Sequence, residues 1–296
     1  MTVFQPYAVL FLGVIAVSFA SIFIRLAEAP PLIIAAYRLG LASLVIGPVA
    51  LIRSGQELRA LSRRDLVYLV IAGVFLALHF GLWITSLAYT TVASSVILVT
   101  MSPLFVGLFS HLLGMDRVTK WMLGGIILSV VGSVAIGYGD FGLGGGALWG
   151  DILALGGAVM MTGYLLAGRR LRQGLSLLTY ISFTYSVAAA VMVVLCLLTG
   201  RRFTGYSSTS YLMFILLALV PQLIGHSAFN WALGYLSAPF VSVTILGEPV
   251  GATILACLIL NEVPTLLKIV GGVMILSGIY LASRREQEVV EVVPVK

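Results

Sequence analysis

Apolar and charged positions in this chain come in blocks. Residues 66–115 contain no Asp, Glu, Lys or Arg, and residues 203–247 contain none either. Within the blocks every face is apolar, which predicts helices buried all round, where a water-soluble domain would show amphipathic helices or alternating strands. Ten blocks can be read, at about residues 7–24, 32–52, 66–87, 92–113, 118–137, 147–168, 177–199, 211–233, 238–260 and 266–283. Each approaches the roughly 20 residues that cross a hydrocarbon core about 30 Å thick. The predicted fold class is an all-α polytopic membrane protein, because a transmembrane β-barrel would alternate apolar and polar residues along each segment.

Composition narrows the picture in the same direction. A 60% hydrophobic content, 9% charge and a mean hydropathy of +1.11 exclude soluble, disordered and disulfide-rich secreted classes. Cys196 and Cys257 fall inside apolar blocks and predict neither a disulfide framework nor a metal site. The first block lacks a basic leader and a small-residue cleavage site, so it reads as a retained helix. Gly142, Gly144 and Ala147 match G-x-G-x-x-A, but no strand precedes them and no dinucleotide site is expected. Walker A, H-E-x-x-H, G-x-S-x-G and C-x-x-C motifs are absent from the sequence, so ATP-driven transport by this chain alone is not expected.

Charge placement predicts orientation. Arg53, Arg59, Arg63, Arg64, Arg117, Lys120, Arg169, Arg170, Arg172, Arg284, Arg285 and Lys296 fall on one side of the ten blocks, against Arg25, Arg38, Arg201, Arg202 and Lys268 on the other. By the positive-inside bias both termini are cytoplasmic, in a bacterial-type inner membrane. The net charge of +6 then has anionic headgroups as its partners, and nucleic acid is not needed to explain it.

The chain also resembles itself. At an offset of 146 residues Pro103 meets Pro249, Asp116 meets Glu262, Thr119 meets Thr265, Gly125 meets Gly271 and Gly132 meets Gly278. One residue out of that register, His79 and Trp83 correspond to His226 and Trp231. Five helices per half is an odd number, so the second half enters the membrane from the opposite side. This predicts two inverted five-helix repeats, residues 1–139 and 140–284, followed by a cytoplasmic tail, 285–296. Inverted repeats are a recurring way to build a carrier with its site near the bilayer midplane.

Several runs carry a family resemblance. These are Pro31 through Ala36, Tyr37 and Arg38, and the Pro103-centred fourth block ending in Gly114-Met115-Asp116. Two more are Leu246-Gly247-Glu248-Pro249 with Asn261-Glu262, and the glycine-paired fifth and tenth blocks. Together they resemble the EamA-type permeases, ten-helix members of the drug/metabolite transporter superfamily. The overall cast is similar to the YddG-type exporters of aromatic and other neutral amino acids. The resemblance implies a basket of helices one to four and six to nine around a central cavity, braced from outside by helices five and ten. Gly125, Ser129, Gly132, Ser133 and Gly137 recur every three or four residues, the pattern that lets helices approach closely. Where the family usually closes its fourth helix with Glu, this chain has Asp116.

Candidate chemistry sits inside the blocks. Gln222, His226 and Asn230 follow at i, i+4 steps, a polar stripe that either hydrogen-bonds a substrate or glues helices together. His79 and Trp83 share a face of the third block, too deep for a headgroup belt, where an indole can stack on an apolar ligand. Glu248 is the acid near the middle of a block; desolvation disfavours its charge, leaving it protonated or paired. It is either a proton carrier or counter-ion, or a donor to the carbonyl that Pro249 frees, with Thr244 on its face. Met160, Met161 and Tyr164, and Tyr180, Thr184 and Tyr185, are either core or an adaptable apolar wall. Arg38 is expected to snorkel outward or to pair with Glu28 or Asp151.

The resulting expectation is a secondary carrier, not an enzyme, that exports small neutral amino acids through a largely apolar midplane cavity. The expected substrate-binding set is His79, Trp83, Ser95, Met160, Tyr164, His226, Asn230 and Trp231, with Glu248 as a proton or gating residue. No cofactor, metal, nucleic acid or obligate protein partner is expected beside the substrate and the bilayer. Export of drug-like lipophilic cations or other small metabolites is the alternative. The gap in the reading is the substrate carboxylate, for which no cation is predicted at mid-depth.

Overall fold

A computed structural model describes residues 5–90, 92–138, 147–260 and 264–284. Those described residues form helices and turns, with no strand among them. Helix α1 spans Gln5–Leu26 with a break at Phe19, α2 Pro31–Arg53, α3 Arg63–Ser86, α5 Lys120–Tyr138, α6 Ala147–Leu171, α7 Leu177–Leu198, α8 Ser208–Ala232 and α10 Leu266–Ser283. Two helices are in pieces: α4 as Val92–Val99 and Ser102–Leu112, and α9 as Ala238–Ile245 and Gly247–Leu260. A short helix, Gly55–Arg59, joins α2 to α3. Polar residues at the block edges start several of these helices. The hydroxyls of Ser62, Ser176, Ser207, Ser237 and Thr265 each accept from a backbone N–H in the first turn, and Ser62 with Asp65 completes a capping box.

Among the described residues, eight helices are long and apolar enough to cross a membrane, and two apolar helices, Ile97–Leu112 and Lys120–Ile136, are shorter. The shorter fourth helix differs from the continuous block expected over 92–113. Its regular bonding lapses at Thr100–Met101, just before Ser102-Pro103, where a proline cannot donate to the preceding turn. The break in α9 falls at Leu246, before Gly247 and Pro249, so the two interruptions are 146 residues apart, at Thr100 and Leu246. The resemblance-bearing residues Asn261 and Glu262, the loop glycines Gly142 and Gly144, and the tail 285–296 lie outside the described residues.

Helices pack as α1 with α8 and α9, α2 with α7 and α8, α3 with α6 and α7, α4 with α6, α5 and α9, α5 with α10, and α9 with α10. The α5–α10 crossing is the tightest. A Cβ at Gly132 would lie 2.6 Å from the Gly271 carbonyl oxygen, and one at Gly125 2.5 Å from that of Gly278. Between them the Ser129 hydroxyl donates to the Ile275 carbonyl at 3.3 Å. The small-residue pattern of α5 therefore does what its spacing predicts, bringing backbone against backbone. Lipid-side positions such as Leu123, Ile127, Val131, Val273, Leu276 and Tyr280 remain exposed on the same two helices.

Candidate functional site

The backbone of α8 aims its polar side chains differently from an α-helix. Residues Ala218–His226 are π-helical, with Pro221 inside the stretch. Proline removes one donor and crowds the preceding turn, and widening to i→i+5 bonding accommodates it. Gln222 and His226 are thus not stacked one α-turn apart as their spacing predicts, yet Gln222, His226 and Asn230 are all buried.

Five helices meet there. From α2, Arg38 donates through Nε to Gln222 Oε1 at 2.8 Å, with its guanidinium 4.2 Å from the centre of the Phe80 ring of α3. The His226 ring lies 5.3 Å from Phe80 and 6.4 Å from Tyr164. Asn230 Nδ2 donates to Tyr164 Oη of α6 at 2.5 Å and to Tyr185 Oη of α7 at 3.3 Å, and Tyr185 Oη is 3.2 Å from Ser227 Oγ. On α3, His79 Nδ1 donates to the Gly157 carbonyl of α6 at 2.9 Å, which fixes its tautomer, and its ring stacks on Trp83 at 6.1 Å. Despite these bonds, Trp83 Nε1, His226 Nδ1 and Asn230 Oδ1 are buried with no hydrogen-bond partner among the described residues. Buried polar atoms of this kind call for an explanation, more so in hydrocarbon than in a soluble core.

The structure brings several of the expected residues together and places others apart. His79, Trp83, Tyr164, His226 and Asn230 belong to this centre, and Met160 is half-buried one turn before Tyr164. Ser95 is buried, but its hydroxyl is 2.6 Å from Ser86 Oγ at the end of α3. Trp231 packs on Tyr235 at 4.5 Å, at the end of α8. Glu248 is half-buried beside the break in α9. The Ser18 hydroxyl, which donates to the Val14 carbonyl at 2.7 Å, is 3.4 Å from the backbone carbonyl oxygen of Glu248.

Arg38 is the main correction. It does not snorkel, being only 1% exposed, and it pairs with neither acid expected for it: Glu28 is exposed and Asp151 accepts from Thr90 Oγ1 at 2.8 Å. Arg38 begins about 10 Å inside α2, seven residues past its start, at 1.5 Å per residue. That depth inside an apolar block was the available signal; its partner Gln222 lies 184 residues away in sequence, where no spacing rule reaches.

A second polar cluster closes the other end of the bundle. Arg169 at the end of α6 reaches Asp116 Oδ1 through Nε at 3.2 Å and Nη2 at 3.1 Å, and donates through Nη1 to the Leu233 carbonyl at 3.0 Å. Asp116 Oδ2 accepts the Ala238 N–H at 3.0 Å and Ser110 Oγ at 3.3 Å. Nearby, Glu57 accepts from Ser176 and Thr179 at the start of α7. Burial alone would push the Glu57 carboxyl up, but those donors and the charge of Arg172 hold it below its ordinary range. Two surface grooves, of about 310 Å³ beside α9 and α10 and about 440 Å³ between α3, α4 and α6, contain none of the expected substrate-binding residues.

The sequence matches the model of the EamA-like transporter family twice, over residues 5–138 and 148–284. The chain belongs to that family. It is a membrane transporter, not an enzyme. Similar proteins include the uncharacterized transporter YdfC of Bacillus subtilis, 26% identical over 81% of this chain and 79% of its own. Another is the pseudopaline exporter CntI of Pseudomonas aeruginosa, 28% identical over 77% and 78%. An uncharacterized transporter of Archaeoglobus fulgidus is 24% identical over 92% and 94%. One crystal structure superimposes on this transporter with a TM-score of 0.79, covering 96% of this chain and 98% of its own, at 20% identity, a likeness of fold alone.

Proposed function

We propose that this transporter exports small neutral amino acids with aromatic or apolar side chains, as a secondary carrier working by alternating access. The observation that carries the reading is the buried centre itself, where Trp83, His226 and Asn230 each keep an unpartnered polar atom amid Phe80, Tyr164 and Tyr185. Interhelical glue would use those atoms up; a site for a ligand with an apolar body and a polar head leaves them available.

We further read the chain as ten membrane helices in two inverted repeats, residues 1–139 and 140–284. The two family matches, at 5–138 and 148–284, support this division. So do the main helix pairings, which recur when α1–α5 are exchanged with α6–α10: α4–α6 becomes α9–α1, and α3–α7 becomes α8–α2. Gly125 meets Gly278 and Gly132 meets Gly271, while Ser129 meets its own counterpart Ile275, the contacts expected about a two-fold axis. Matched interruptions of α4 and α9 flank such sites in carriers of this type of architecture. With Arg38 counted inside the bundle, the flanking charges run twelve to four in favour of cytoplasmic termini in an inner membrane.

Purified protein in liposomes preloaded with labelled phenylalanine or methionine tests the reading. Efflux above that of empty liposomes is expected, and its response to an imposed pH gradient reports whether a proton is coupled through Glu248. Inserted protein without efflux of any neutral amino acid would bring forward the lipophilic-cation alternative, which would draw on Glu248 and the aromatic side chains.

A further inference from the structure

We propose that Arg38 is the specificity-determining residue of the central site, its guanidinium fork receiving the carboxylate of the substrate. The inference rests on the amino-acid reading and supplies the cation that reading lacked. A charge at this depth is expensive and is retained where it has a partner or a task. Arg38 has little of the former. Among the described residues it makes one hydrogen bond, through Nε, to the neutral Gln222, and no ion pair.

Arg169 of the same chain is the internal comparison. There Nε, Nη1 and Nη2 are all engaged, two of them by a carboxylate, as a structural arginine should be. In Arg38 the two Nη groups are uncommitted, while Gln222 holds the fork at its base and Phe80 supports its face at 4.2 Å. Held that way, a guanidinium presents two parallel N–H donors, the geometry that binds a carboxylate in bidentate fashion. The carboxylate of a zwitterion gives this guanidinium the charged partner that the neutral Gln222 does not. The same arginine repels a lipophilic cation.

The test compares labelled phenylalanine with 2-phenylethylamine, the same body without the carboxylate, in proteoliposomes. With the wild-type protein, phenylalanine efflux should be inhibited at least tenfold more weakly by phenylethylamine than by unlabelled phenylalanine. Arg38→Gln should raise the phenylalanine KM at least tenfold and erase that preference, and Arg38→Lys should restore it in part, keeping charge without the fork. If the wild-type protein competes equally with the amine, the role of Arg38 is overturned with no variant needed. A folded Arg38→Gln that lowers efflux yet keeps the preference overturns it too, leaving a structural arginine. Absence of any amino-acid efflux by wild-type protein would instead sink the amino-acid reading, and the inference with it.

Discussion

Gly132→Ala tests the α5–α10 crossing at the level of single atoms. The new Cβ would lie 2.6 Å from the Gly271 carbonyl oxygen and 2.9 Å from both the Ile275 nitrogen and the Met274 Cβ, where ordinary contact starts near 3.4 Å. Two of those three neighbours are backbone atoms that cannot rotate away, so the helices must separate by about 0.8 Å or bend. Overpacking of this size costs about 1–3 kcal/mol, partly offset by the ~1 kcal/mol by which alanine outranks glycine in a helix. Gly40→Ala, with nothing within 4 Å of its Cβ, keeps only the gain. SDS-titrated unfolding in mixed micelles should therefore move in opposite directions for the two variants. Gly125→Ala combined with Gly278→Ala should cost less than the sum of the single changes, because both press on one contact. If Gly132→Ala is as stable as Gly40→Ala, the crossing is looser than the glycine geometry says and the argument fails.

The remaining predictions concern the ends of the bundle and its centre. Asp116→Asn leaves Arg169 buried against a neutral partner and should destabilise by about 3–5 kcal/mol in the same titration, with Arg169→Met in the same chain recovering much of the loss. The Glu57 carboxyl is held low, so its contribution is present above its unfolded value near pH 4.3 and disappears as pH falls through the folded value. Wild-type and Glu57→Gln melting temperatures should accordingly differ at pH 7 and converge once the pH has fallen below the folded value. Trp83→Phe, which removes an unpartnered buried N–H, should change the efflux KM, whereas Trp231→Phe, packed on Tyr235, should not. Should efflux respond to a pH gradient, Glu248→Gln should abolish that response while unfolding free energy stays within about 1 kcal/mol of wild type.

The helical class and the glycine register were legible because both are local: all-round apolarity marks the blocks, and small residues three or four apart mark a close crossing. His79, Tyr164, His226 and Asn230 were legible because polar groups in lipid stand out against their surroundings. Arg38 was misread for a physical reason: a charge in the first half of a block looks like an anchor until a partner from another helix takes it inward. The neighbours of Ser95 and Trp231, Ser86 in one case and Tyr235 in the other, were not legible, because sequence gives a residue's helix but not what it packs against. The π-helical turn of α8 was hidden because Pro221 permits several remedies, and which is adopted depends on the packing against α1 and α2.

The contact of α5 with α10 also has a mechanical meaning. Where two helices touch through carbonyl oxygens and Cα atoms there are no side-chain torsions to absorb a displacement. Sliding one helix along the other by a single turn would carry Ser129 or Ser133 under a facing backbone that now accepts only glycine. The crossing therefore fixes both the distance between the two helices and their register, as two backbone contacts seven residues apart on α5 must.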